Sequence, residues 1–108
     1  AHLEATAEGR RRVAVLGDMA ELGAGAPAYH QEIGREAARH GVDALLAVGE
    51  LARGYLGGGV QVTSWAPDAE TAAAEAAQLV QPGDIVLIKA SRAVGLERVA
   101  EALAAVSA

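Results

Sequence analysis

The 108-residue chain contains no cysteine, no phenylalanine, one tryptophan, two tyrosines and a single lysine. Without cysteine there is no disulfide, no thiolate nucleophile and no cysteine-ligated metal, a composition that fits a cytoplasmic setting. Aromatic residues make up 3% of a chain that is 52% hydrophobic. The core must therefore be built from closely packed Ala, Val, Leu and Ile, which suits helices lying on a sheet. Positive charge is also scarce, with nine basic residues against fourteen acidic ones and a net charge of −5. A nucleic-acid surface needs a basic stripe, and Arg10-Arg11-Arg12 is too short to supply one. No apolar stretch is long enough to span a bilayer, and no signal peptide is recognisable.

Familiar chemical motifs are missing as well. The sequence has no G-x-x-x-x-G-K-[ST] phosphate loop, no G-x-G-x-x-G fingerprint and no H-E-x-x-H metal pair. Gly57-Gly58-Gly59 follow a helical pattern rather than a strand. Ser64, Ser91 and Ser107 have no nucleophile-elbow context. Nothing here points to an independent ATP site, a resident metal or a catalytic triad.

What remains is a regular alternation. Ala1 to Glu8 read as the end of a helix closing at Gly9, where glycine suits a C-cap. A strand is expected from about Arg12 to Leu16, a loop from Gly17 to Gly25, and a helix opened by Pro27 and stopped at Gly41, with Tyr29, Ile33 and Ala37 on one face. Val42 to Val48 is a second strand, Glu50 to Leu56 a short helix, and Val60 to Ser64 a strand nearer an edge. Asp68 caps an alanine-rich helix over Ala69 to Val80. After Pro82-Gly83, the run Ile85-Val86-Leu87-Ile88 reads as a strand buried on both faces, as in the centre of a parallel sheet. A last helix carries Leu96, Val99, Leu103 and Val106 on one face. The expected architecture is one α/β domain with a mostly parallel sheet and right-handed crossovers. It opens on a helix with no strand before it, which suggests a boundary cut from a longer protein.

Ligands of such sheets bind beyond the carboxyl ends of the strands. The last strand ends in Lys89-Ala90-Ser91-Arg92, an ammonium, a hydroxyl and a guanidinium suited to a carboxylate or phosphate. The first strand ends in Gly17-Asp18-Met19-Ala20-Glu21-Leu22-Gly23, which brings carboxylates to the same edge if the strands are parallel. Together they would fit a zwitterion such as an amino acid or short peptide. The alternative is that Asp18 and Glu21 cap the turn or pair with Arg92; that reading is favoured for Glu21, and a ligand-facing role for Asp18, which directly follows a strand and a glycine. His30, near the start of its helix, either reaches this crevice or packs on the loop. His2 and His40 read as surface residues.

Three segments taken together are more specific: Val13 to Gly23 with its Gly-Asp-Met-Ala-Glu-Leu-Gly run, His30 with Ile33-Gly34, and Gly83 to Arg92. In order and spacing they resemble the carboxy-terminal domain of the Mur ligase family, over essentially the whole chain. Within that family they resemble the branch acting on D-alanyl-D-alanine and UDP-N-acetylmuramoyl-tripeptide in peptidoglycan synthesis. The resemblance implies a Rossmann-like domain of a three-domain enzyme, lacking its first strand and inactive without the amino-terminal and central domains. It implies that ATP and Mg2+ are bound mainly by those other domains. The reaction implied is activation of the tripeptide carboxylate as an acyl phosphate, which the dipeptide amine attacks. By the same resemblance Asp18, Met19, Glu21, His30, Lys89, Ser91 and Arg92 border the substrate cleft, and the domain contributes positioning rather than proton transfer. One departure is Ala90, where the family usually has glycine; a positive φ there would cost alanine ~1 kcal/mol or more. The contrasting reading is a stand-alone Rossmann-like module that binds a small anion or zwitterion without catalysis.

Overall fold

The computed structural model describes residues 10–19, 23–90, 95, 99–100 and 103. Four strands form one parallel sheet: β1 (Arg12–Gly17), β2 (Ala44–Val48), β3 (Val62–Ala66) and β4 (Ile85–Lys89), in the order β3-β2-β1-β4. A single 3-10 turn, Gly23–Gly25, precedes helix α1 (Ala26–Arg39), a longer 3-10 helix spans Leu51–Gly57, and α2 spans Ala69–Leu79.

The chain steps from β1 to β2 to β3 in one direction and returns across the sheet to β4. Right-handed crossovers therefore put α1 and α2 on opposite faces. The core divides accordingly. Ala14, Leu16, Leu45 and Ala47 face α1 and the 3-10 helix, in a cluster with Ala52, Tyr55 and Val60. Val15, Leu46, Val48 and Ala66 face α2, where Ala69, Ala72 and Ala76 are joined by Val99 and Leu103. Small residues on α2 let helix and sheet approach closely, which replaces the bulk that phenylalanine would supply.

α1 and the 3-10 helix pack backbone against backbone. Gly34 in α1 lies under Tyr55, and a Cβ built on Gly34 would sit 2.9 Å from both the carbonyl carbon and the Cα of Tyr55. This contact shifts the buried face of α1 to Ala26, His30 and Gly34. It is one residue round from the Tyr29-Ile33-Ala37 stripe that spacing suggested; Ile33 and Ala37 pack at its margin. Asp68 caps α2 as expected, its carboxylate accepting the Thr71 N–H at 2.8 Å.

The strand expected to be buried on both faces is an edge strand. β4 pairs with β1, and among the described residues no second strand pairs with it. Its Val86 and Ile88 pack toward α2, but Leu87, on the opposite face, is 47% exposed. A groove of about 280 Å³, lined among others by Leu16, Ile33, Ala37, Leu87 and Lys89, runs beside α1 there. A short apolar run is compatible with either position, because burial of alternate residues depends on what lies above each face. β3 is the other edge, as expected from its alternating pattern.

At the amino end of the sheet, Arg11 donates to the Asp84 carboxylate (2.8 Å) and to the Leu79 carbonyl at the end of α2. Asp84 also accepts the Gln81 N–H at 2.8 Å and is almost fully buried. Burial alone would raise its pKa, but the hydrogen bonds from Arg11 and Gln81 outweigh it and hold the carboxyl below its ordinary range. A folded-state pKa below the unfolded one means that this stability is present above about pH 4 and lost as pH falls through the folded value. Asp84→Asn should lower the melting temperature at pH 7 and flatten the loss of stability between about pH 5 and 2. An unchanged acid melting profile would remove Asp84 from that role.

Candidate functional site at the carboxyl edge

β1 and β4 run parallel with Leu16 opposite Lys89, so Asp18 and Lys89 reach the same edge, as expected. Ser91, Arg92 and Glu21 lie outside the described residues, as do Ala20, Leu22 and His2. Lys89 is exposed, and its ammonium makes no ion pair among the described residues. Ala90 packs against the core cluster on the α2 face, so its methyl group has a place in the apolar layer.

The Gly17-Asp18-Met19 turn is held at several points. The Asp18 N–H donates to the Val48 carbonyl (3.1 Å), and its Oδ1 accepts the Ala52 N–H (2.7 Å) in the first turn of the 3-10 helix. The carboxylate thus ties the loop after β1 to the loop after β2. Gly49 permits this: it holds φ at +108°, and a Cβ there would lie 2.5 Å from Asp18 Oδ1. Only glycine meets both the left-handed backbone and the close approach. The Tyr55 hydroxyl donates to the Gly17 carbonyl (2.8 Å), and burial pushes that phenol well above its ordinary pKa, so it stays a neutral donor. On the β3 side, Trp65 Nε1 donates to the Gly49 carbonyl (2.7 Å), and the Arg53 guanidinium lies 4.0 Å from the centre of the indole ring.

His30 is fully buried rather than open to a crevice. Its Nε2 faces the Met19 N–H at 3.1 Å and its Nδ1 faces the Ala26 carbonyl at 2.6 Å. An N–H can bond only to an unprotonated nitrogen, so the proton sits on Nδ1, which donates to Ala26. Its ring meets Tyr29 and Tyr55 at centroid separations of 5.7 and 5.0 Å. His40, by contrast, is a surface residue beside Glu36, as expected.

The edge is therefore a braced platform spanning the ends of β1, β2 and β3, with the Lys89 ammonium, which makes no ion pair among the described residues, on the neighbouring strand. Sequence reading reached Asp18, Met19, His30 and Lys89 but missed Gly49, Ala52, Tyr55 and Trp65. Gly49, directly after a strand at this edge, was the one signal in the sequence for that bracing. Among the described residues no three His, Cys, Asp or Glu side chains converge as a metal site, and no helix is long and apolar enough to cross a membrane.

Residues 1–92 match the family described as "Mur ligase, glutamate ligase domain". The chain belongs to the Mur ligase family. Among Mur ligases, the UDP-N-acetylmuramoyl-tripeptide--D-alanyl-D-alanine ligase of Mycobacterium leprae is 43% identical over 102 residues, covering 87% of this chain and 20% of that protein. The Synechocystis protein of the same name is 38% identical over 109 residues, covering 95% of this chain and 23% of its own. The chain thus spans about a fifth of the length of the curated Mur ligases it matches. Solved Mur ligase structures share the fold. The MurF ligase of Thermotoga maritima in complex with ADP superposes with a TM-score of 0.68 at 32% identity, over 86% of this chain and 21% of that one. A MurF structure from Acinetobacter baumannii gives 0.73 at 26% identity, over 97% and 25%.

Proposed function

We propose that this chain is the carboxy-terminal, cleft-closing domain of an ATP-dependent cytoplasmic ligase that joins D-alanyl-D-alanine to UDP-N-acetylmuramoyl-tripeptide in peptidoglycan synthesis. The observation that carries the reading is the identity of 38 to 43% with ligases of that name over nearly the whole chain. The Lys89 edge supplies chemistry of the right sign: an exposed ammonium can meet the dipeptide carboxylate or the charge developing on a transferred phosphoryl group. Asp18 and Met19 lie on the adjacent strand's turn at the same edge, held by hydrogen bonds from Ala52, to Val48 and to His30, which suits positioning of reactants.

The sequence contains no phosphate loop, and among the described residues no acidic cluster converges as a metal site. ATP and Mg2+ belong, on this reading, to other parts of the enzyme. The domain's own task is to orient the dipeptide and exclude water when the cleft closes.

The test is phosphate release by the full-length protein supplied with ATP, Mg2+ and UDP-N-acetylmuramoyl-tripeptide, with and without D-alanyl-D-alanine. Release that requires the dipeptide and yields the pentapeptide product supports the reading. Dependence on a single amino acid in its place would reassign the acceptor to another Mur ligase branch.

A further inference from the structure

We propose that His30 is a positioning residue of this ligase, acting through the Met19 amide rather than by touching substrate. The inference rests on the function proposed above. Three observations carry it. The ring is fully buried, so it does not meet a ligand directly. Each nitrogen has one partner, with Nδ1–H on the Ala26 carbonyl at 2.6 Å and Nε2 accepting the Met19 N–H at 3.1 Å. And the residue it grips lies next to Asp18, whose side chain is fixed independently through Ala52.

The two bonds have different meanings. The Ala26 bond lies within α1, one turn back, and orients the ring. The Met19 bond crosses from helix to loop and sets where the chain goes as it leaves β1. Without it the Met19 N–H would turn to water, and the backbone beyond Asp18 would lose its direction although Asp18 itself stays capped on the 3-10 helix. Tyr55 holds the same turn two residues earlier, at the Gly17 carbonyl, so His30 is the constraint specific to Met19.

Two isosteric replacements separate these bonds. Glutamine extends as far as Nε2 and can present an acceptor to Met19 while losing the Ala26 bond. Asparagine matches Nδ1 and keeps a donor for Ala26 while losing the acceptor. In the full-length protein, Met19 amide hydrogen exchange should be wild-type-like in His30→Gln and faster by tenfold or more in His30→Asn, as expected for losing a bond worth about 1 to 1.5 kcal/mol. In steady-state assays the KM for D-alanyl-D-alanine should rise about tenfold in His30→Asn with kcat within about threefold of wild type, and His30→Gln should restore it.

If both variants lose activity in proportion to lost stability, His30 is only a core residue and the proposal fails. It fails equally if glutamine is as damaging as asparagine while the melting temperatures are unchanged, because that marks direct contact with the reaction. A wild-type protein that does not use the dipeptide overturns the ligase reading and the substrate-positioning role with it, while the exchange data still decide whether His30 anchors Met19.

Discussion

Replacing Gly34 with alanine will destabilise the domain by about 2 kcal/mol or more, although alanine is the better helix former by roughly 1 kcal/mol. The new methyl group would meet the main chain of Tyr55, lying 2.9 Å from its carbonyl carbon and its Cα and closer still to its carbonyl oxygen. Backbone cannot rotate aside as a side-chain tip can. α1 and the 3-10 helix would have to separate, and the buried contacts of Tyr55 and Ala52 would loosen with them. For a domain of this size such a loss corresponds to a fall of roughly 10 °C in melting temperature. Gly57→Ala, where nothing lies within 4 Å of the added methyl, is the control and should melt near wild type. A Gly34→Ala protein as stable as the control would show that the two backbones are not in contact. The displacement should also reach the carboxyl edge, because the Tyr55 hydroxyl that steadies Gly17 is carried by the same 3-10 helix.

Lys89→Ala should have the opposite profile, with little effect on stability and a large one on catalysis. The side chain is exposed and makes no ion pair among the described residues, so its removal strands no partner. If Lys89 meets developing negative charge in the closed cleft, as proposed, its loss in the full-length protein should cost about 3 kcal/mol, or on the order of 100-fold in kcat/KM. Lys89→Arg keeps the charge but changes its shape and reach, and should recover part of that loss. Thermal melts and kinetics on the same three proteins check this. A fall in activity that merely follows a fall in stability, or no fall at all, would take Lys89 out of the site.

These two residues differ in how far they could be read from the chain. Lys89 was legible: the only lysine stands where an apolar run ends, and parallel pairing of β1 with β4 brings it to the same edge as Asp18. Gly34 was legible only as a glycine inside a helical pattern, where it reads as a small penalty, since the partner that requires it, Tyr55, is 21 residues away and on another element. Asp18 shows the same limit. Its place after a strand was plain, but its carboxylate could have faced a ligand or a backbone N–H. The choice of Ala52 depends on how the loop after β2 folds back, which Gly49 allows.

The sequence by itself determined the alternation of strands and helices, the α2 cap at Asp68, the aliphatic core and the parallel sheet edge carrying Asp18 and Lys89. Those features follow from local periodicity and from turn and cap chemistry, which act over a few residues. The tertiary structure alone decided that, among the described residues, β4 lies at an edge with Leu87 uncovered, that His30 is buried with its proton on Nδ1, and that Asp18 braces two loops. Each of these depends on which distant group occupies the space above a strand face or opposite a polar atom. A chain's local pattern states what a residue can bond to, and only packing states what is there to be bonded.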